Sequence, residues 1–105
     1  MNATTDTTIV ANTRNNDVYC VAVAIMNAHE DRVSVTHTTV LHLQRAIMLL
    51  RTKGVREGSE GRHDAANRLH GDAEALDARV RAFALQAIAA GARNPHLIAQ
   101  VALGS

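Results

Sequence analysis

The sequence predicts a small α+β domain: an N-terminal three-stranded antiparallel meander over about residues 7–36, then three to four Ala-rich helices over about 38–53, 62–90 and 95–103. An all-α helical bundle is the alternative. Three observations carry the prediction. β-branched runs separated by Asn/Asp clusters fill the first third of the chain. Eight of the nine threonines lie within the first 39 residues, whereas seventeen of the nineteen alanines follow residue 20. From Thr38 onward, apolar residues recur at alternating steps of three and four, the period of a helix face. With 105 residues the chain forms a single domain, 1–105.

The expected strands are Thr7–Val10, Val18–Ile25 and Arg32–Thr36. Between them stand 12–17 and 27–31, rich in Asn and Asp, whose side chains bond nearby backbone and tolerate turns. At period two the middle run carries Tyr19, Val21, Val23 and Ile25 on one face and Val18, Cys20, Ala22, Ala24 and Met26 on the other. Both faces are apolar, as in a central strand covered on both sides. The rival is a helix capped by Asp17, with Val18, Val21, Ala22 and Ile25 on one side. The β-branched content favours the strand. On either reading Cys20 lies in an apolar run, where a thiol is slow to react.

The first predicted helix of the second half sets Val40, Leu43, Ile47 and Leu50 on one face, with Leu41 and Met48 widening the stripe. Thr38 or Thr39 caps its start, and Lys53-Gly54 ends it, leaving 55–61 as a loop. The next segment carries the clearest pattern. Ala66, Leu69, Ala73, Leu76, Val80, Phe83, Ala87 and Ala90 form an unbroken a/d seam. Asp64/Arg68 and Asp77/Arg81 are supporting i,i+4 pairs. Gly71 weakens the middle, and Asp72 offers a cap for a second helix there. Gly91 stops the seam. Asn94 and Pro95 then start a last helix with Leu97, Ile98, Val101 and Ala102 inward.

A helix over 38–53 is about 24 Å long, whereas the seam from 66 to 90 runs about 36 Å. The shorter helix cannot cover the longer seam. The sequence therefore predicts a homodimer, with Leu76, Val80 and Phe83 at the seam.

Composition excludes several classes of function. Ten Arg and one Lys against ten acids give a net charge of +1, too little for nucleic-acid binding by bulk charge. Tyr19 and Phe83 are the only aromatic residues, so the platforms on which single-stranded bases stack are missing. A single cysteine permits neither an intrachain disulfide nor a Cys-based zinc site, and fits a reducing compartment. The longest apolar run, Val18–Met26, is far short of the ~20 residues of a membrane-spanning helix. Residues 1–12 have neither the basic nor the apolar region of a signal peptide. A cytoplasmic location without membrane contact is expected.

Six histidines raise the question of a metal. His63, His70 and Glu74 share one helix face, but His70/Glu74 supplies only two ligands one turn apart, and a firm site needs three or four. No metal and no cofactor are expected. No nucleophile-elbow, zincin, phosphate-loop or dinucleotide-binding string is present, so no catalytic residue is assigned and the chain reads as a non-enzyme. The remaining feature is Arg45, Arg51, Lys53 and Arg56, within an acid-free stretch from Gln44 to Arg56. This cluster is the candidate partner-binding site.

Leu85–Leu103, LQAIAAGARNPHLIAQVAL, resembles the first two helices of a helix-turn-helix domain. The sequence stops at Ser105, where the recognition helix that enters the major groove would begin. The segment is therefore read as a helical corner. The function predicted is a small interaction protein of the adaptor or inhibitor type, in the style of those of mobile elements, that docks a protein partner. The alternative is a DNA-binding regulator using the Arg45/Arg51/Lys53/Arg56 cluster or the C-terminal corner.

Overall fold

The computed structural model describes residues 15–104, with side chains from Val18 onward. Among these residues there is no strand; the chain is a helical bundle. Its elements are α1 (Asn15–Ala28), α2 (His37–Ser59), α3 (His63–Ala89) and α4 (Pro95–Leu103). The predicted meander is thus corrected to the all-α alternative. Its first strand, Thr7–Val10, lies outside the described residues. Val18–Met26 lies within α1, and Arg32–Thr36 belongs to the α1–α2 connection.

Burial explains why α1 is a helix. Val18, Ala22, Ile25 and Met26 are buried, at the i, i+4, i+7, i+8 spacing of one helix face. Cys20 and Ala24, which a doubly covered strand would bury, are exposed. Packing of that one face outweighs the strand preference of Val and Ile, which amounts to only about 1 kcal/mol across the whole scale.

The α1–α2 connection is held by Arg32. Its backbone takes φ 61°, and its Nη1 donates to the carbonyls of Met26 (2.9 Å) and His29 (2.8 Å) at the end of α1. Val35 is buried beneath the connection. Thr36 then caps α2: its hydroxyl accepts from the Thr39 amide at 3.2 Å, and Thr39 Oγ1 accepts from the Thr36 amide at 3.3 Å. The reciprocal pair satisfies two backbone donors that a helix start would otherwise leave open. The cap is Thr36, ahead of the expected Thr38 or Thr39.

The expected stop at Gly54 is also corrected. α2 runs through Gly54 and Gly58 to Ser59. Its end is at Gly61, φ 82°, where the amides of Gly61 and Arg62 reach back to the carbonyls of Gly58 (3.1 Å) and Glu57 (2.9 Å). This double closure needs a left-handed residue, which glycine supplies without steric cost. Gly91 ends α3 in the same way, with the Ala92 amide on Ala87 O at 3.0 Å and its own amide on Ile88 O at 3.2 Å.

A three-residue turn joins α2 to α3, so the pair is an antiparallel hairpin. Its register is readable from two glycines. A Cβ built on Gly54 would meet His70 at 2.8 Å, and one on Gly58 would meet Ala66 at 3.7 Å. An advance of four residues on α2 thus matches a retreat of four on α3. Gly54 is buried at this crossing, where its missing side chain makes room for the His70 ring.

The 23 residues of α2 span about 34 Å, close to the roughly 40 Å of α3. With α1 and α4 added, the chain covers its own seam from Ala66 to Ala87 and leaves Ala90 exposed. Leu76 and Val80 are 0% exposed and Phe83 2%. They are core residues of one chain, out of reach of a second copy. α4 follows its predicted bounds, with Ile98 and Ala102 buried. Gln44 Nε2 ties it to α2 by donating to Val101 O at 3.3 Å. Asn94 stands at the cap position in the left-handed region, but its side chain makes no capping hydrogen bond.

Candidate functional site

α2 carries two apolar stripes. Val40, Leu43, Ile47 and Leu50 are fully buried against the other helices. Leu41, Met48 and Val55 are 48%, 62% and 62% exposed. They repeat every seven residues, so they fall within about 40° of one another and about 120° round the helix from the buried stripe. The sequence reading placed Leu41 and Met48 at the edge of the core and Val55 in a loop. The structure turns all three outward, on one continuous helix.

Leu41, Gln44, Arg45, Met48, Leu49 and Thr52 are among the residues lining an open trough of about 650 Å³ along this face. Leu49 is half-buried and forms one of its walls. The trough therefore has an apolar floor with a cation at its edge. The other exposed large apolar residues, Val33, Leu85, Leu97 and Leu103, lie on other segments.

The structure divides the predicted basic cluster. Arg45 and Arg56 are exposed and lie within about 20° of each other around α2, some 16 Å apart along its axis. Both flank the exposed apolar stripe. Lys53 is half-buried and stands about 60° further round on the same flank. Arg51 points to the opposite flank, where it lines a separate groove with Gln44, Asp77, Arg81 and Val101. Two cations, Arg45 and Arg56, thus accompany the stripe on one side, Lys53 stands well behind them, and Arg51 belongs to a different groove.

No acid answers these three cations. Among the described residues, none of Arg45, Lys53 and Arg56 forms an ion pair. The acids nearest in sequence, Glu57 and Glu60, are both engaged by Arg62. The hydrogen bond to Glu57, then that to Glu60, holds the Arg62 guanidinium proton more firmly than usual. Asp77 pairs with Arg81 at 3.3 Å, as the i,i+4 spacing predicted.

The remaining candidates do not assemble into a centre. His63, His70 and Glu74 are all exposed on α3. Among the described residues no group of three or more His, Cys, Asp or Glu is placed to hold a metal ion. Cys20 is a free, exposed thiol on α1, contrary to the core position that its apolar neighbours suggested. No helix among the described residues is long and apolar enough to cross a membrane.

No family model, curated protein or solved structure matches this chain.

Proposed function

We propose that the chain is a non-enzymatic interaction protein of the adaptor or inhibitor type, which docks a protein partner on the outer face of α2. One observation carries this reading. A helix that buries one apolar stripe and is apolar again on another side has a second surface that gains by leaving water. Leu41, Met48 and Val55 are that surface. Isolated exposed apolar residues are ordinary on any protein, but three at heptad spacing along one helix face, two of them lining the trough, form a contact strip. The work is placed in the cytoplasm, because a lone cysteine without an intrachain partner suits a reducing compartment.

The test is site-specific photo-crosslinking in cells that express the protein. A photoreactive residue at position 48 is expected to give discrete protein adducts. The same residue at Glu74, exposed on α3, serves as control. Adducts lost on adding Val55→Asp support the reading. Equal adducts at both positions overturn it. A DNA adduct, or a mobility shift with DNA that weakens steeply with salt, would make the chain a nucleic-acid binder instead.

A further inference from the structure

Resting on that reading, we infer that the occupant of the α2 face is an amphipathic helix with acidic residues beside its apolar stripe. From Leu41 to Val55 the exposed stripe is about 21 Å long, or four helical turns. It is narrow and carried by a single helix. A helix laid alongside, with anchors at i, i+3 or i+4, and i+7, fits such a strip. Leu41, Met48 and Val55 are one heptad apart, leaving gaps between them for the partner's apolar side chains to enter.

Charge selects among the helices that would fit. Arg45 and Arg56 stand on one flank, about 16 Å apart along the axis, with Lys53 behind them. The stretch from Gln44 to Arg56 contains no acid, and Glu57 and Glu60 are held by Arg62. A partner helix with two acids eleven residues apart on the facing flank would meet both arginines. A second copy of this chain would instead bring the same acid-free segment against itself, and like charges facing one another are disfavoured. Nucleic acid would reward the arginines, but it offers the Leu/Met/Val strip nothing comparable. The strip has no aromatic residue for bases to stack on.

The experiment uses two synthetic helices of about eighteen residues with the same leucine stripe. One carries two Glu eleven residues apart beside the stripe, and the other carries Gln there. Binding to the full chain is followed by anisotropy and by amide shifts. The Glu peptide is expected to bind about five- to tenfold more tightly than the Gln peptide, as two exposed ion pairs would give, and the gap should narrow with salt. The shifts should centre on Leu41, Met48 and Val55. Arg45→Gln with Arg56→Gln should erase the difference, and Met48→Glu should abolish binding of both peptides while leaving the melting temperature in place. Equal binding of the two peptides at the α2 face would overturn the acidic partner while leaving the docking face intact. Failure of both peptides to move any α2 resonance would overturn the inference and the docking face together. Stripe resonances that shift on dilution of the chain alone would make the occupant a second copy and overturn the acidic helix.

Discussion

The guanidinium of Arg32 lies over the ring of Phe83, 4.7 Å from its centroid, while Arg32 Nε donates to Gln86 Oε1 at 3.0 Å. With Nη1 on the carbonyls of Met26 and His29, one side chain closes the end of α1, fixes the connection to α2 and fastens both to α3. The planar guanidinium offers donors in several directions at once, whereas an ammonium is a point charge. The arrangement is held even though the Arg32 backbone is left-handed, a conformation that costs a residue with a Cβ about 1–2 kcal/mol.

Arg32→Ala is therefore expected to destabilise the fold by about 2 kcal/mol, from the lost charged hydrogen bonds and the ring contact. Arg32→Gly should cost less than Arg32→Ala, because glycine takes φ 61° freely. Urea denaturation of the two variants checks the order. An alanine variant at least as stable as the glycine variant would mean that the turn is not strained as described.

Gly54 and His70 form a coupled pair. Gly54→Ala adds helix propensity of about 1 kcal/mol, but its methyl would stand where the His70 ring now lies. In the parent chain the two effects oppose each other, and the net change is expected to be smaller than the propensity gain. In a His70→Ala background the same substitution should stabilise by the full ~1 kcal/mol. A double-mutant cycle measures the difference. Strict additivity would show that the ring does not depend on the bare glycine.

Phe83→Ala is expected to cost about 3–5 kcal/mol, as for a large aromatic residue removed from a well-packed core. Since one chain buries Phe83, the loss should be the same at every protein concentration. A loss that grows with concentration, read by thermal melts over a hundredfold dilution series, would restore the seam as an interface between copies.

Cys20 should react quickly with thiol reagents in the native protein, at close to its rate in denaturant, because it is exposed on α1. Labelling followed by mass spectrometry decides this. Strong native protection would mean that something covers that side of α1.

The sequence showed the second half of the fold better than the first. Gly91, Asn94 and Pro95 mark the α3–α4 corner through backbone requirements that hold locally, and α4 begins at the expected Pro95. Gly54 misleads for the complementary reason. A mid-helix glycine costs only about 1 kcal/mol, and the contact with His70 that favours it joins residues sixteen positions apart. Reading Gly54 as a stop shortened α2, and the shortened helix in turn exposed the seam and suggested a dimer. In α1 a nine-residue apolar run fits strand and helix alike, and only the exposed Cys20 and Ala24 separate them. Of the candidate site, Arg45 and Arg56 were visible as an acid-free stretch. Arg51 is equally close in sequence but sits on another flank. The seven-residue spacing of Leu41, Met48 and Val55 was present in the sequence all along, hidden by placing Val55 in a loop.

The matching of Gly54 to His70 and Gly58 to Ala66 also bears on how the chain acquires its shape. These contacts lie close to the turn at Glu60–Arg62, so little chain entropy is lost in forming them, and the hairpin can zip outward from its turn. Attachment of α1 is different: it requires Arg32 to find Gln86, fifty-four positions away. Hydrogen exchange is expected to show α2 and α3 as the last unit to open and α1 as an earlier one. The strip of Leu41, Met48 and Val55 rides on the late-opening unit. A partner docking there as proposed would therefore meet a face already formed before the helices added around it close.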